Sequence, residues 1–242
     1  MRTEKISYTF TWTIFLLAAN LRIAITALPP LTTRIQNYFG FSTTQIGFLT
    51  TIPLLCFGFI SIFASNLISR FGTRQTILDA LFLLAFANLL RVYFSWGIFI
   101  GTVFIGFAIT LLNVSLPALI VEQYPDKTSI LNGLYTSAMN LISAIAGGLA
   151  VPLANSLGWK VTIQLFSIPA VLAFIFLIFQ TPKNKNFTEQ KTTASEQTTI
   201  WVRSRIWLLA IFMCLQSLLF YTLVAWLPNI IAFHQASATT AG

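Results

Sequence analysis

Residues 96–121 read WGIFIGTVFIGFAITLLNVSLPALIV, a run without one charged side chain. It is longer than the roughly 20 apolar residues that carry a helix across about 30 Å of hydrocarbon. Working outward, comparable apolar blocks occupy 8–31, 44–66, 76–94, 129–154, 159–180 and 206–232. None alternates apolar and polar residues over about ten positions, the pattern of an outer-membrane barrel strand. The reading is an all-α, polytopic membrane protein with seven crossings.

Composition agrees. Of 242 residues, 56% are hydrophobic and 8% charged, against about 25% charged in soluble domains. The net charge of +8 is spread over several short connections, which argues against nucleic acid as a partner. Cys56 and Cys214 fall inside apolar blocks and read as packing residues. The single histidine, His234, lies near the chain end, and no His/Cys/Asp/Glu cluster suggests a metal. No cofactor is expected.

The first block follows Arg2 and Lys5 but is too long for a signal peptide, contains Arg22 and lacks a small-residue cleavage site. It reads as an uncleaved first span. Loop charges orient the chain: with the amino terminus cytoplasmic, one side collects Arg2, Lys5, Arg70, Arg74, Lys127, Lys183, Lys185, Lys191, Arg203 and Arg205. The other side receives Arg34, Arg91 and Lys160. The short connections suggest that consecutive helices are antiparallel neighbours.

Residues 1–180 form the expected six-helix bundle, 181–205 a polar cytoplasmic connector, and 206–242 a seventh helix and the start of an eighth. An internal echo supports this division. Ala27-Leu28-Pro29-Pro30-Leu31, followed by Ser42-Thr43-Thr44, opens the chain; Ala225-Trp226-Leu227-Pro228, followed by Ser237-Ala238-Thr239-Thr240, follows the connector. A second copy of the first half starts there.

Specific strings add to this layout: Asn20-Leu21-Arg22, Asn113-Val114-Ser115-Leu116-Pro117-Ala118-Leu119-Ile120, Gly133-Leu134-Tyr135-Thr136-Ser137, Gly148-Leu149-Ala150-Val151-Pro152 and Leu157-Gly158-Trp159. With six spans, a long loop and a restarting repeat, the chain resembles the major facilitator superfamily. Within it, the chain is similar to the cyanate permease and 2-nitroimidazole exporter family. The resemblance implies a transporter that moves a small anionic or heteroaromatic solute through a bacterial cytoplasmic membrane by alternating access. It also implies that the family's second half is almost wholly missing. A second chain would then have to supply it, or the polypeptide would be an inert fragment. In the loop between spans two and three, Arg70, Gly72 and Arg74 match the superfamily's motif, while serines stand at its glycine and aspartate positions.

Arg22 is the leading candidate residue. A charge inside a span costs about 2.5–3.5 kcal/mol on insertion scales and is tolerated where it faces a cavity or a partner. It either meets an anionic solute near the midplane, or snorkels and pairs elsewhere. Asn20, Asn113, Tyr135 and Asn140 could line the same cavity, or serve as interhelical glue. Asn88 reads as packing. Gly97 and Gly101, Gly133 and Ser137, and Ala144 and Gly148 repeat every four residues and suit close helix approach. Prolines 29, 30, 53, 117, 152, 169 and 228 should kink their spans. No carboxylate falls near the midplane, and Asp79 is expected to pair with Arg70 or Arg74. A seven-helix receptor fits poorly, because its amino terminus would lie outside. An intramembrane enzyme fits poorly too: paired carboxylates, Gly-x-Ser-x-Gly and His-Glu-x-x-His are all absent.

Overall fold

The computed structural model describes residues 7–179 and 204–233. Most of the 181–205 connector, and the Ser237–Gly242 echo with His234, lie outside the described residues. Among the described residues all regular structure is helical. Six units are long and apolar enough to cross a membrane: Tyr8–Phe39, Thr43–Phe71, Thr73–Leu90, Ser95–Gln123, Pro125–Ser156 and Trp159–Phe179. A further helix covers Ser204–Phe233, apolar over Trp207–Leu223.

The first span is interrupted. Helix α1 (Tyr8–Asn20) stops, and α2 (Ile23–Thr26) restarts after a turn in which Arg22 has φ −131° and ψ −22°. Pro29 and Pro30 then open a 3₁₀ turn (Pro29–Leu31), where a missing N–H is no loss, before α3 (Thr32–Phe39). Next come α4 (Thr43–Phe71), α5 (Thr73–Leu90), α6 (Ser95–Gln123) and α7 (Thr128–Ser156). The sixth span is also broken, into α8 (Trp159–Leu165) and α9 (Ile168–Phe179), with Pro169 in the first turn of α9. Pro53, Pro117 and Pro152 sit inside helices. The last described helix, Ser204–Phe233, is α10.

The start of α4 is fixed by a capping box. Ser42 Oγ accepts from the Gln45 N–H at 3.2 Å, and Gln45 Oε1 accepts from the Ser42 N–H at 2.8 Å.

Close packing follows small residues rather than chain order. Helix α6 lies between α4 and α5, α1 packs on α7 and α9, and α5 on α9, so of the tightest pairs only α5–α6 is consecutive. A short connection forces antiparallel direction but does not choose the packed face. Gly106 does: a Cβ there would lie 2.8 Å from Cys56 Sγ and 3.1 Å from Pro53 Cα, so the α4 and α6 backbones touch. At the α5–α6 hairpin, a Cβ on Gly101 would lie 2.3 Å from Arg91 Cβ. Gly133 and Gly148, expected to do the same in α7, have nothing within 4 Å of the position a Cβ would take. The core between these helices joins Ile14, Leu17 and Leu21 to Leu81, Leu84, Ile105, Ile109 and Leu112.

At the end of the bundle that carries Arg34 and Lys160, aromatic rings cluster. Tyr38 and Trp159 meet edge-to-face at 5.3 Å, and Lys160 Nζ donates to Tyr38 Oη at 2.7 Å. Amphipathic rings of this kind suit the membrane–water boundary.

Candidate functional site

The interruption of the first span falls at Arg22. As the residue before α2 it leaves the helical path, and its side chain projects towards α10 instead of along α1. The guanidinium carbon lies 3.9 Å from the centroid of the Phe220 ring and 5.8 Å from that of Tyr221. Its Nη1 is buried and has no hydrogen-bond partner. The ring thus covers the face of the guanidinium while an N–H at its edge stays free to donate, which is the edge a carboxylate or other oxyanion takes.

Arg22 lines a cavity of about 790 Å³ together with Asn113, Tyr135, Asn140, Gln216 and Tyr221. A second cavity of about 790 Å³ lies across α10, beside Thr50, Pro53 and Cys214. Asn113, Ser217 and Tyr221 line both, so α10 stands between two lobes that share these residues. Among the described residues no carboxylate lines either lobe. A cation in a low-dielectric cleft without an opposing charge attracts anions. Asn113 donates its Nδ2 to the Ile109 carbonyl at 3.0 Å, which fixes the amide's orientation on α6.

Four of the five sequence candidates therefore share one cavity. Asn20 lies elsewhere: it is 3% exposed, and its Nδ2 donates to the Leu16 carbonyl at 2.7 Å and the Pro169 carbonyl at 3.1 Å, tying α1 to α9. Phe220, Tyr221, Ser217 and Gln216 were not singled out from the sequence. Aromatic and small polar residues within an apolar run look alike whether they face lipid or a cavity.

The loop between α4 and α5 is a separate structure. Gly72 has φ +83°, a conformation that L side chains rarely adopt, and so lets α4 end and α5 begin without a spacer. Arg74 Nη2 donates to the Leu177 and Ile178 carbonyls of α9 at 2.8 and 3.3 Å. Thr73 Oγ1 donates to Glu122 Oε1 at the end of α6. Arg70 is exposed beside the Phe71 ring. Where the sequence suggested an ion pair with Arg70 or Arg74, the hydrogen bond to Asp79 comes instead from Gln75 Nε2 at 2.9 Å. Gln75 sits one turn earlier on the same face, whereas Arg74 reaches the Leu177 and Ile178 carbonyls of α9.

Comparison with known proteins gives consistent matches. The Major Facilitator Superfamily model matches residues 10–242. An uncharacterized transporter, YycB, of Bacillus subtilis (strain 168) is 38% identical over 95% of this chain and 57% of its own length. The 2-nitroimidazole transporter of Escherichia coli (strain K12) is 32% identical over 95% of this chain and 59% of its own length. The cyanate transport protein CynX of the same organism is 24% identical over 95% and 60%. The chain thus spans about three fifths of the length of these relatives. Among solved structures, a D-xylose-proton symporter superposes with a TM-score of 0.73 at 16% identity, covering 97% of this chain and 64% of that one. This last likeness concerns the fold alone.

Proposed function

Since the chain belongs to the major facilitator superfamily, we propose that it forms the solute-binding part of a multi-pass transporter for a small anion or an electron-poor heteroaromatic compound. The observation that carries this reading is Arg22, with an unpartnered Nη1, at a cavity that no carboxylate among the described residues lines. The names of two relatives, a 2-nitroimidazole transporter and a cyanate transport protein, point to the same class of cargo.

The mechanism follows from the geometry. The anionic end of the solute accepts from Arg22 Nη1 and from the amides of Asn113 and Asn140. Its planar part rests against the Tyr135, Phe220 and Tyr221 rings. Asn113, Ser217 and Tyr221 reach both lobes, so a solute held there contacts either side as helices rock about α10. Further helices, from this chain or another, cover the open side of the cavity. The excess of basic residues around Arg70 and Arg74 supports an amino terminus in the cytoplasm of a bacterial cell.

The test is ligand-induced stabilisation of the purified chain by cyanate, nitrite, 2-nitroimidazole and, as a neutral control, xylose. Saturable stabilisation by an anion or the nitroimidazole, with none by xylose, supports the reading. Stabilisation by xylose alone, or by none of the four, overturns it.

A further inference from the structure

Arg91 is the largest side chain in the fully buried core. It is 1% exposed, and neither its Nε nor its Nη1 has a hydrogen-bond partner. One helical turn earlier, Asn88 is also 1% exposed, and both its Nδ2 and its Oδ1 lack partners. Residues three apart on a helix lie on one face, so these two buried side chains, with four unpartnered polar atoms between them, leave the end of α5 on the same side. Gly101 holds them there. Because a Cβ at that position would lie 2.3 Å from Arg91 Cβ, α6 runs directly against Arg91 and keeps it in the interior.

A guanidinium does not give up its proton in a protein. Burying it without a counter-charge costs several kcal/mol. No carboxylate among the described residues can serve. Asp79 is bonded to Gln75 and lies twelve residues, about 18 Å, before Arg91 along the helix path, while Glu122, bonded to Thr73, and Asp126 lie at the far end of the α5–α6 hairpin. The neighbouring cations are already engaged: Arg34 donates to the Ala154 carbonyl at 2.9 Å and to Asn155, and Lys160 to Tyr38.

We propose that Arg91 and Asn88 bind a small inorganic anion of halide size as a structural counter-ion, in a site separate from the solute cavity. The anion accepts from the Arg91 N–H groups and from Asn88 Nδ2. Enclosure sets the size limit, since both residues are closed off from the surface and a bulky carboxylate or phosphate has no way in without opening the hairpin. The ion anchors the α5–α6 turn and takes no part in transport.

Bromide is the probe. Thermal unfolding of the wild-type protein is compared in sodium bromide and in sodium gluconate at equal ionic strength, and bromine is located by anomalous scattering in crystals. The expected result is a rise of a few degrees in bromide that saturates, with a bromine peak in contact with Arg91 and Asn88. Asn88→Asp supplies the counter-charge from the protein itself, so that variant should match the bromide-bound wild type and lose its dependence on the salt. Arg22→Gln, outside this site, should keep it. Equal unfolding temperatures in the two salts, or a bromine peak confined to the Arg22 cavity, would overturn the proposal. So would Asn88→Asp retaining the full bromide dependence.

Discussion

Phe220 covers the face of the Arg22 guanidinium, its ring centroid 3.9 Å from the central carbon, while Nη1 stays free at the edge. The two interactions are compatible because a ring takes the face of a guanidinium and an anion takes its edge. The ring positions the charge without consuming its donors.

Phe220→Leu therefore weakens anion binding rather than freeing the site. A cation–π contact of this kind contributes about 0.5–2 kcal/mol, so the dissociation constant of a bound anion should rise from about 2-fold to about 30-fold, while Phe220→Trp retains affinity. Titration calorimetry on the two variants measures this. Tighter binding in Phe220→Leu would mean that the ring competes with the solute.

Asn20 and Asn113 should separate stability from binding. Asn20→Ala removes the bond to Pro169 and is expected to cost about 0.6–2 kcal/mol of stability, with solute affinity unchanged. Asn113→Ala should lower affinity with little change in unfolding temperature. Unfolding and binding measured on the same samples check both.

The glycines predict an order of damage. Gly101→Ala and Gly106→Ala force overpacking against the Arg91 and Cys56–Pro53 positions, each costing about 1–3 kcal/mol or more. Gly133→Ala meets open space and should be neutral or slightly stabilising, since alanine is the better helix former by about 1 kcal/mol. Thermal unfolding of the three single variants tests the ranking.

Arg74→Met removes the cation from the Leu177 and Ile178 carbonyls of α9. The expected loss is about 0.3–2 kcal/mol, reduced at high salt because the site lies at a helix end. Arg70→Gln, exposed beside Phe71, should have no measurable effect. Unfolding at two salt concentrations distinguishes them.

Spans and their order were legible in the sequence because a bilayer of fixed thickness demands apolar runs of fixed length. Gly72 was legible as a turn between two spans, and Arg22 stood out as a charge within a span. Pairing between helices was not legible. Glycine spacing marked Gly101 correctly but also Gly133 and Gly148, and it passed over Gly106, because a periodic small residue says nothing about what stands opposite. Asn20 and Asn113 are equivalent as letters, and only the turn at Arg22 and the position of Pro169 separate a tie between helices from a cavity wall. Phe220 gave no signal, since one phenylalanine among many apolar neighbours carries no mark of its partner.

The central claim is that Arg22 binds the anionic end of the solute, and equilibrium binding to Arg22→Gln tests it most directly. Titration of wild type and variant with cyanate, alongside circular dichroism to confirm that the variant is folded, is the measurement. The account predicts a folded variant whose affinity falls at least about tenfold, equivalent to roughly 1.4 kcal/mol. A folded Arg22→Gln protein that binds as tightly as wild type would contradict it.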